Sequence, residues 1–379
     1  MTVDPAVALL RDLVAIDSVN PSLSAGARGE ADVARRIARE LEAIGLQVEI
    51  ADAAPGRPNV VGVLDGRAPG RSLMFCGHTD TVGVAGMPRP FEAEIRDGRL
   101  YGRGAQDMKG GVAAMITAVR RIVETGGLDR GRVIVAAVAD EEHASIGAEA
   151  LITKWRADAA VVTEPTGLDI AVAHKGFQWI TLETRGRAAH GSRPLDGRDA
   201  ILRMGRVLAR LEALDRRLQG GPRHPLLGAA SLHASLIEGG HEMSSYPAHA
   251  ALQYERRTLP GERADVSRVE ADAILADLKR EDPEFEAEAR LTFGRDAYEI
   301  DAASPLPSLL LEAATDAGCQ PSIAGMTFWT DAAILGAAGI PSVLFGPGGA
   351  GLHSIEEYVI VDHVLRCRDA LALLARAWC

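Results

Sequence analysis

The feature that most constrains the fold is a set of short apolar runs, each stopping just before residues of metal-binding type. Ser72-Leu73-Met74-Phe75-Cys76, Val133 to Ala139, Ala159 to Val162 and Ser342 to Phe345 are too short for helices of ordinary length. They are continuously apolar rather than alternating, which is the mark of a strand covered on both faces. Asn59 to Val63 reads as another strand. Between them lie stretches of helical periodicity. Val7, Leu10 and Val14 share a face within 5–16, as do Val33, Ile37, Leu41 and Ile44 within 29–44, which Gly45 then ends. A third helix is expected from Asp107 to about Thr125, before Gly126-Gly127. Strands alternating with helices predict an α/β domain with a mixed, largely parallel sheet flanked by helices.

After residue 173 the texture changes. Gln178 to Thr184 alternates as a half-exposed strand does. A helix over 199–218, strands over 230–237 and 250–256, and a helix over 264–279 follow. The last strand, 285–293, places Phe285, Ala287, Ala289, Leu291 and Phe293 on one face at period two. This strand-helix-strand-strand-helix-strand order is the split βαβ, ferredoxin-like pattern of an inserted α+β domain. The α/β texture resumes with helices over 309–317 and 331–338, the strand 342–345 and a helix from Val361. The expected boundaries are 1–173 and 295–379 for the two parts of the α/β domain and 174–294 for the insert.

Charge excludes several function classes. The 379 residues carry 41 Lys and Arg against 52 Asp and Glu, a net charge of −11. Such a surface does not track phosphates, so neither a nucleic-acid nor an anionic-membrane partner is expected. Aromatic residues make up only 4%, leaving few stacking platforms for single strands. No apolar run approaches the roughly 18 residues of a bilayer span. The four cysteines form no CxxC pair, and the acidic start MTVDPAVALLRDLVAID lacks a basic leader, so a cytoplasmic protein is expected.

Chemistry concentrates at the strand ends. The strand 72–76 runs into Gly77-His78-Thr79-Asp80, 133–139 into Asp140-Glu141-Glu142, 159–162 into Thr163-Glu164, and 342–345 into a glycine-rich loop ending at His353. Ligands of open α/β sheets sit at the carboxyl ends of strands, so these groups could meet in one cleft. In His78-Thr79-Asp80 the carboxylate could fix the imidazole tautomer, as partners of metal-bound histidines do. Asp107, in Gly102-Arg103-Gly104-Ala105-Gln106-Asp107-Met108-Lys109-Gly110-Gly111, has two readings: a helix N-cap, or a carboxylate bridging two cations roughly 3.5–4 Å apart. Lys109 is followed by Gly110, so the loop is not a P-loop. Three consecutive acids at 140–142 repel one another unless a cation neutralises them. Spacing does not say which glutamate binds metal and which moves protons. Two histidines and several carboxylates, with no thiolate, suit Zn²⁺, Co²⁺ or Mn²⁺.

These segments resemble the M20 family of dinuclear zinc hydrolases, which includes acetylornithine deacetylase, succinyl-diaminopimelate desuccinylase, aminoacylase and glutamate carboxypeptidase. GHTDTV, GRGAQDMKGG, DEE, TEP, AAHGSRP, ERRTLPGE and GPGGAGLHSIEEYV occur in the family's order across nearly the whole chain. The resemblance implies an amidohydrolase that cleaves an N-acyl amino acid, the alternative being a dipeptidase or carboxypeptidase. It implies two divalent ions, zinc first, with cobalt or manganese as alternatives. His78 and Glu164 would hold one, Glu142 and His353 the other, and Asp107 would bridge. Asp80 would orient His78. Glu141 would be the general base acting on a metal-bridging water. The insert would be a lid through which a homodimer forms. In it His190 would stabilise the oxyanion, and Arg257 would grip a substrate carboxylate, with Arg256 a surface charge. Ser244 stands in Ser244-Ser245-Tyr246-Pro247, where many relatives carry an Asn, and is taken as a substrate contact.

Overall fold

A computed structural model describes residues 3–379. The chain forms two compact units. The first comprises the chain up to Val172 with Ile300–Gly325 and Thr330–Cys379, and the second Ala173–Glu299 with Met326–Trp329.

The larger sheet contains β1 (Gln47–Ala54), β2 (Arg57–Asp65), β3 (Ala68–His78), β4 (Arg130–Val138), β5 (Ala159–Val162), β6 (Ile170–His174) and β7 (Ser342–Leu344). Their order is β1-β2-β4-β3-β5-β7-β6. The centre is parallel, with β4, β3, β5 and β7 running the same way. The flanking pairs β1–β2, β2–β4 and β7–β6 are antiparallel. The sheet is therefore mixed and largely parallel, as its apolar runs imply. Leu73 and Phe75 join the large core with Met115, Val119, Leu371 and Leu374, while Met74 and Cys76 are buried outside that cluster. Both faces of β3 are thus covered, which is why its run is apolar throughout. β1 was not anticipated from the pattern. It is a sheet edge with no residue fully buried, so hydrophobicity marks it weakly.

Register aligns the strand ends. Cys76 lies opposite both Ala136 and Val162, and Leu344 lies opposite Val162. The loops after β3, β4, β5 and β7 therefore leave one edge of the sheet, the edge at which parallel sheets hold ligands. The helix expected from Asp107 begins only at Gly110 and runs to Glu124. Its first turn packs tightly on the end of β5, since a Cβ on Gly111 would lie 2.0 Å from the Thr163 carbonyl oxygen.

The second unit is a four-stranded antiparallel sheet in the order Ser231–Gly239, His249–Thr258, Gly176–Arg185, Glu286–Arg295. Helices Ala200–Gly220 and Val266–Glu281 bury Met204, Val207, Leu211 and Leu275 with Ile180, Leu182 and Leu252 of the strands. This is the ferredoxin-like arrangement. One expectation fails here. A bulge between Leu291 and Phe293 shifts the register of the last strand. Phe293 then packs on Phe177 and Trp179, with ring centroids 5.9 and 5.3 Å away, not on the helix-side core. A bulge reverses the face of every later residue, which period-two counting cannot foresee.

His174 is fully buried in this unit, against the rings of Tyr298 and Trp329 at 5.8 and 6.1 Å. Its Nδ1 lies 3.0 Å from the Lys175 carbonyl, and its Nε2 has no hydrogen-bond partner among the described residues. Burial lowers its pKa to about 4. The unfolded chain, with a histidine pKa near 6.5, then binds the proton first. The stability this neutral histidine contributes is complete above pH 6.5 and is lost as pH falls towards 4, by about 2 kcal/mol between pH 7 and 5. His174→Phe should remove that part of the acid-side slope. Urea titrations of both proteins at several pH values test this, and equal slopes would contradict it.

Candidate functional site

β3 ends at His78, which is 1% exposed. Its Nδ1 lies 3.0 Å from the Asp80 backbone carbonyl and 3.5 Å from the Asp80 carboxylate. The backbone oxygen is therefore the nearer partner that sets the ring, leaving Nε2 to face the other groups. The Asp80 carboxylate has a second task. It accepts the backbone N–H groups of Glu141 (3.1 Å) and Glu142 (3.2 Å), so it braces the loop that carries both glutamates. Asn20 Nδ2 donates to Asp80 Oδ2 (2.7 Å) and to Asp140 Oδ1 (3.0 Å). Arg57 donates to Asp140 (2.9 Å) and pairs through two nitrogens with Glu30. All five of these side chains are buried. Asp140 adopts a left-handed φ of 70°, which turns the chain sharply out of β4.

Asp107 occupies a single irregular turn, Ala105–Lys109, before the helix. Lys109, not Asp107, stands at the helix N-cap position, and no side chain caps it. The N-cap reading is thereby excluded. Instead, Asp107 Oδ1 lies 3.0 Å from His78 Nε2, and Oδ2 lies 3.3 Å from His353 Nε2. One carboxylate thus spans both imidazoles. Gly104, at φ 77°, makes the preceding turn, where a Cβ would lie 2.6 Å from Thr81 Cγ2.

The remaining groups converge on the same point. His353 Nε2 is 3.1 Å from Glu142 Oε2. His78 Nε2 is 4.0 Å from Glu141 Oε2 and 4.0 Å from Glu164 Oε1. Two sets have ligand atoms close enough to hold an ion: His78, Glu141 and Glu164, and His78, Asp107 and Glu142. All five sequence-assigned metal ligands, with Asp80 and Glu141, are therefore brought together. Burial and the neighbouring Glu164 charge push the Glu141 carboxyl well above its usual range. Burial and Asp107 push Glu142 up to about 7, and burial raises Glu164 despite His78. Hydrogen bonds to Asp107 and Glu142 lift His353 to about 10. Against burial, hydrogen bonds to His353 and His78 hold Asp107 below the usual carboxylate range.

The site thus balances crowded carboxylates with protons. Cations would do the same, and the donor set suits them: imidazole nitrogens and carboxylate oxygens, no thiolate. Glu142 Oε1 is buried with no hydrogen-bond partner among the described residues. A buried acceptor without a donor is costly, so its presence fits an oxygen that serves as a cation ligand.

In the second unit, His190 is exposed, with Nδ1 2.8 Å from Ser192 Oγ. The Gly191 N–H donates to the Ser244 carbonyl (2.7 Å), and residues 190 and 245 form an isolated bridge. The structure therefore places His190 beside Ser244, whose side chain is exposed. Arg257 is half-buried, its Nε donating to Glu255 (2.6 Å) and its guanidinium 5.5 Å from the Phe177 ring. Arg256 corrects an expectation. It is fully buried, not a surface charge, and its guanidinium pairs with Glu262 (2.7 Å) and Glu270 (3.1 Å). It projects onto the helix side of the strand, where the helix start and the 259–262 turn supply carboxylates.

Sequence reasoning did not single out Asn20, Glu30, Arg57 or Asp331. Asn20 and Arg57 act at long range in sequence, and no local pattern marks them. Asp331, 1% exposed, adds negative charge that helps raise both Glu141 and Glu164. An acid beside an apolar helical run, Thr330-Asp331-Ala332-Ala333-Ile334-Leu335, was its only signal.

The sequence profile of peptidase family M20/M25/M40 matches residues 74–377. The chain belongs to this family and is a hydrolase of linear amide bonds. An acetylornithine deacetylase of Myxococcus xanthus is 31% identical over 353 residues, covering 89% of this chain and 90% of its own. A succinyl-diaminopimelate desuccinylase of Gluconacetobacter diazotrophicus is 30% identical over 391 residues, covering 97% and 95%. Among solved structures, a dinuclear metal-binding peptidase of the M20 family from Bacillus subtilis superimposes with a TM-score of 0.73 at 18% identity, covering 98% of this chain and 97% of its own.

Removing one partner of a buried charge cluster is expensive, though Glu262 and Glu270 keep some solvent, so Arg256→Met should destabilise the protein by about 2–4 kcal/mol. Arg257→Met, at a partly exposed pair, should cost less than about 1 kcal/mol. Urea unfolding of both variants checks the difference, and equal losses would contradict it.

Proposed function

We propose that the chain is a metal-dependent amidohydrolase that cleaves the amide of an N-acyl amino acid, releasing a carboxylate and a free amino acid. The carrying observation is the Asp107 carboxylate, one oxygen against each of two histidines, with Glu141, Glu142 and Glu164 crowded around it. The names of the two curated relatives, a deacetylase and a desuccinylase, support the substrate class.

His78 and Glu164 would hold one divalent ion, Glu142 and His353 the other, and Asp107 both, with Zn²⁺ the best match to the donors and Co²⁺ or Mn²⁺ the alternatives. When bound, the ions supply a Lewis acid that polarises the scissile carbonyl and eases ionisation of water. Glu141 carries the proton. Its carboxylate takes one from the attacking water as oxygen bonds to the carbonyl carbon. It then gives that proton to the departing nitrogen as the C–N bond breaks. Asp80 keeps Glu141 in place through the Glu141 N–H. His190, exposed, is available to donate to the oxyanion, and the outer nitrogens of Arg257 to grip a substrate carboxylate. Ser244, exposed beside His190, would be a further substrate contact.

The second unit would serve as lid and dimer contact. Its edge strand Ser231–Gly239 leaves Leu236 and Ile237 65% and 60% exposed, an edge that a second copy could cover. Sedimentation velocity reads this directly, a monomer at micromolar concentration counting against it. Among the described residues no helix is long and apolar enough to cross a membrane. The four cysteines are all free, which supports the cytoplasm as the compartment.

Glu141→Gln should keep its metal and lose about 10²–10⁴-fold in turnover. A panel of N-acetyl and N-succinyl amino acids alongside dipeptides, run with metal content measured, tests both base and substrate class. Undiminished turnover contradicts the base, and preference for dipeptides contradicts the substrate class. Chelation should abolish activity and Zn²⁺ or Co²⁺ restore it.

A further inference from the structure

The turn that presents Asp107 is held from behind by a carboxylate with no place among the metal ligands. Glu357 is 1% exposed. Its Oε1 accepts the backbone N–H groups of Gln106 (2.9 Å) and Asp107 (3.1 Å). Its Oε2 accepts the Gly104 N–H (3.0 Å) and Arg103 Nη1 (2.6 Å). Three main-chain donors of one short turn thus converge on a single side chain, a concave anion-holding arrangement filled from within the protein. Arg103 is equally buried, at 2% exposed. Its Nη2 donates to the Ser354 carbonyl (2.9 Å) and its Nε to the Gly83 carbonyl (3.1 Å). The Gly102 N–H donates to the Glu357 carbonyl (3.1 Å). One buried ion pair therefore ties together three segments: the stretch beyond His78, the Asp107 turn and the loop that follows His353.

This arrangement exceeds what stability requires. A buried ion pair is a weak source of net stability, because desolvation offsets much of its attraction. What the pair does supply is fixed geometry: it pins the Asp107 N–H itself and, four residues before Glu357, the base of the His353 loop. Asp107 lies in a turn without regular helical geometry, so no helix ladder fixes its direction.

We propose that Glu357, clamped by Arg103, is a positioning residue that sets the Asp107 carboxylate between the two cations and couples it to His353. The proposal rests on the two-cation reading above. It predicts a specific loss in Glu357→Gln, which keeps the volume but turns an amide N–H₂ towards donors. Apo protein is titrated with Co²⁺ and followed by calorimetry and visible absorption, with circular dichroism as the check on folding. Glu357→Gln should fold and bind Co²⁺ about 10–100-fold more weakly, the usual effect of losing an outer partner of a metal ligand, with an altered absorption band. Glu356→Gln, at an exposed neighbour, should bind as wild type. Glu357→Asp keeps the charge on a shorter arm and should recover part of the affinity. Arg103→Lys repeats the measurement through the other partner, and weakened binding is expected there as well, so the test stands even where Glu357→Gln does not fold. Wild-type affinity and spectrum in a folded Glu357→Gln or Arg103→Lys would overturn the proposal alone. A wild-type protein that takes up no Co²⁺ would overturn it together with the two-cation reading.

Discussion

Four carboxylates that cannot all ionise side by side are the constraint around which the first unit is organised. Asp107, Glu141, Glu142 and Glu164 share a largely dehydrated space with His78, and the half-exposed His353 stands at its rim. Burial and mutual repulsion drive three of the four towards their protonated forms, while the imidazoles hold Asp107 as an anion. A protein gains nothing in stability by gathering such groups. The arrangement is coherent once positive charge stands among them, and the same charge is what hydrolysis of an amide needs at the carbonyl oxygen.

The scaffold makes that crowding possible. Parallel pairing of β4, β3, β5 and β7 delivers His78, Glu141, Glu142, Glu164 and His353 to one sheet edge without bending a strand. Loops would be free to recoil from one another, and buried polar networks prevent it. Asp80, Asn20, Asp140, Arg57 and Glu30 form one brace behind the 140–142 loop. Arg103 and Glu357 form another behind the Asp107 turn. Each brace joins residues far apart in sequence, so the ligands stay close only while the whole unit is folded.

How much of this is legible before folding follows from the range of each interaction. Doubly covered strands announce themselves through continuous apolar runs, and their ends then point to the ligands. The ferredoxin-like order of the second unit is equally readable from alternation. The edge strand Gln47–Ala54 is not, because neither of its faces is fully covered. The bulge at 291–293 is invisible because a single inserted residue leaves composition unchanged while reversing the facing of Phe293. Arg256 and Arg257 are adjacent, and sequence cannot tell which of two neighbouring guanidiniums meets buried carboxylates. Asn20 and Arg57 are missed because their partners lie 27 to 120 positions away.

On the reading proposed above, these side chains hold two ions on one bridging carboxylate. Crystals grown with Zn²⁺ and measured across its absorption edge test it most directly. Two anomalous peaks per chain are expected, roughly 3.5–4 Å apart. One should lie against His78 and Glu164, the other against Glu142 and His353, and each should have an Asp107 oxygen at about 2.0–2.2 Å. No peak within this cluster, or a single ion that leaves His353 and Glu142 unused, would contradict it.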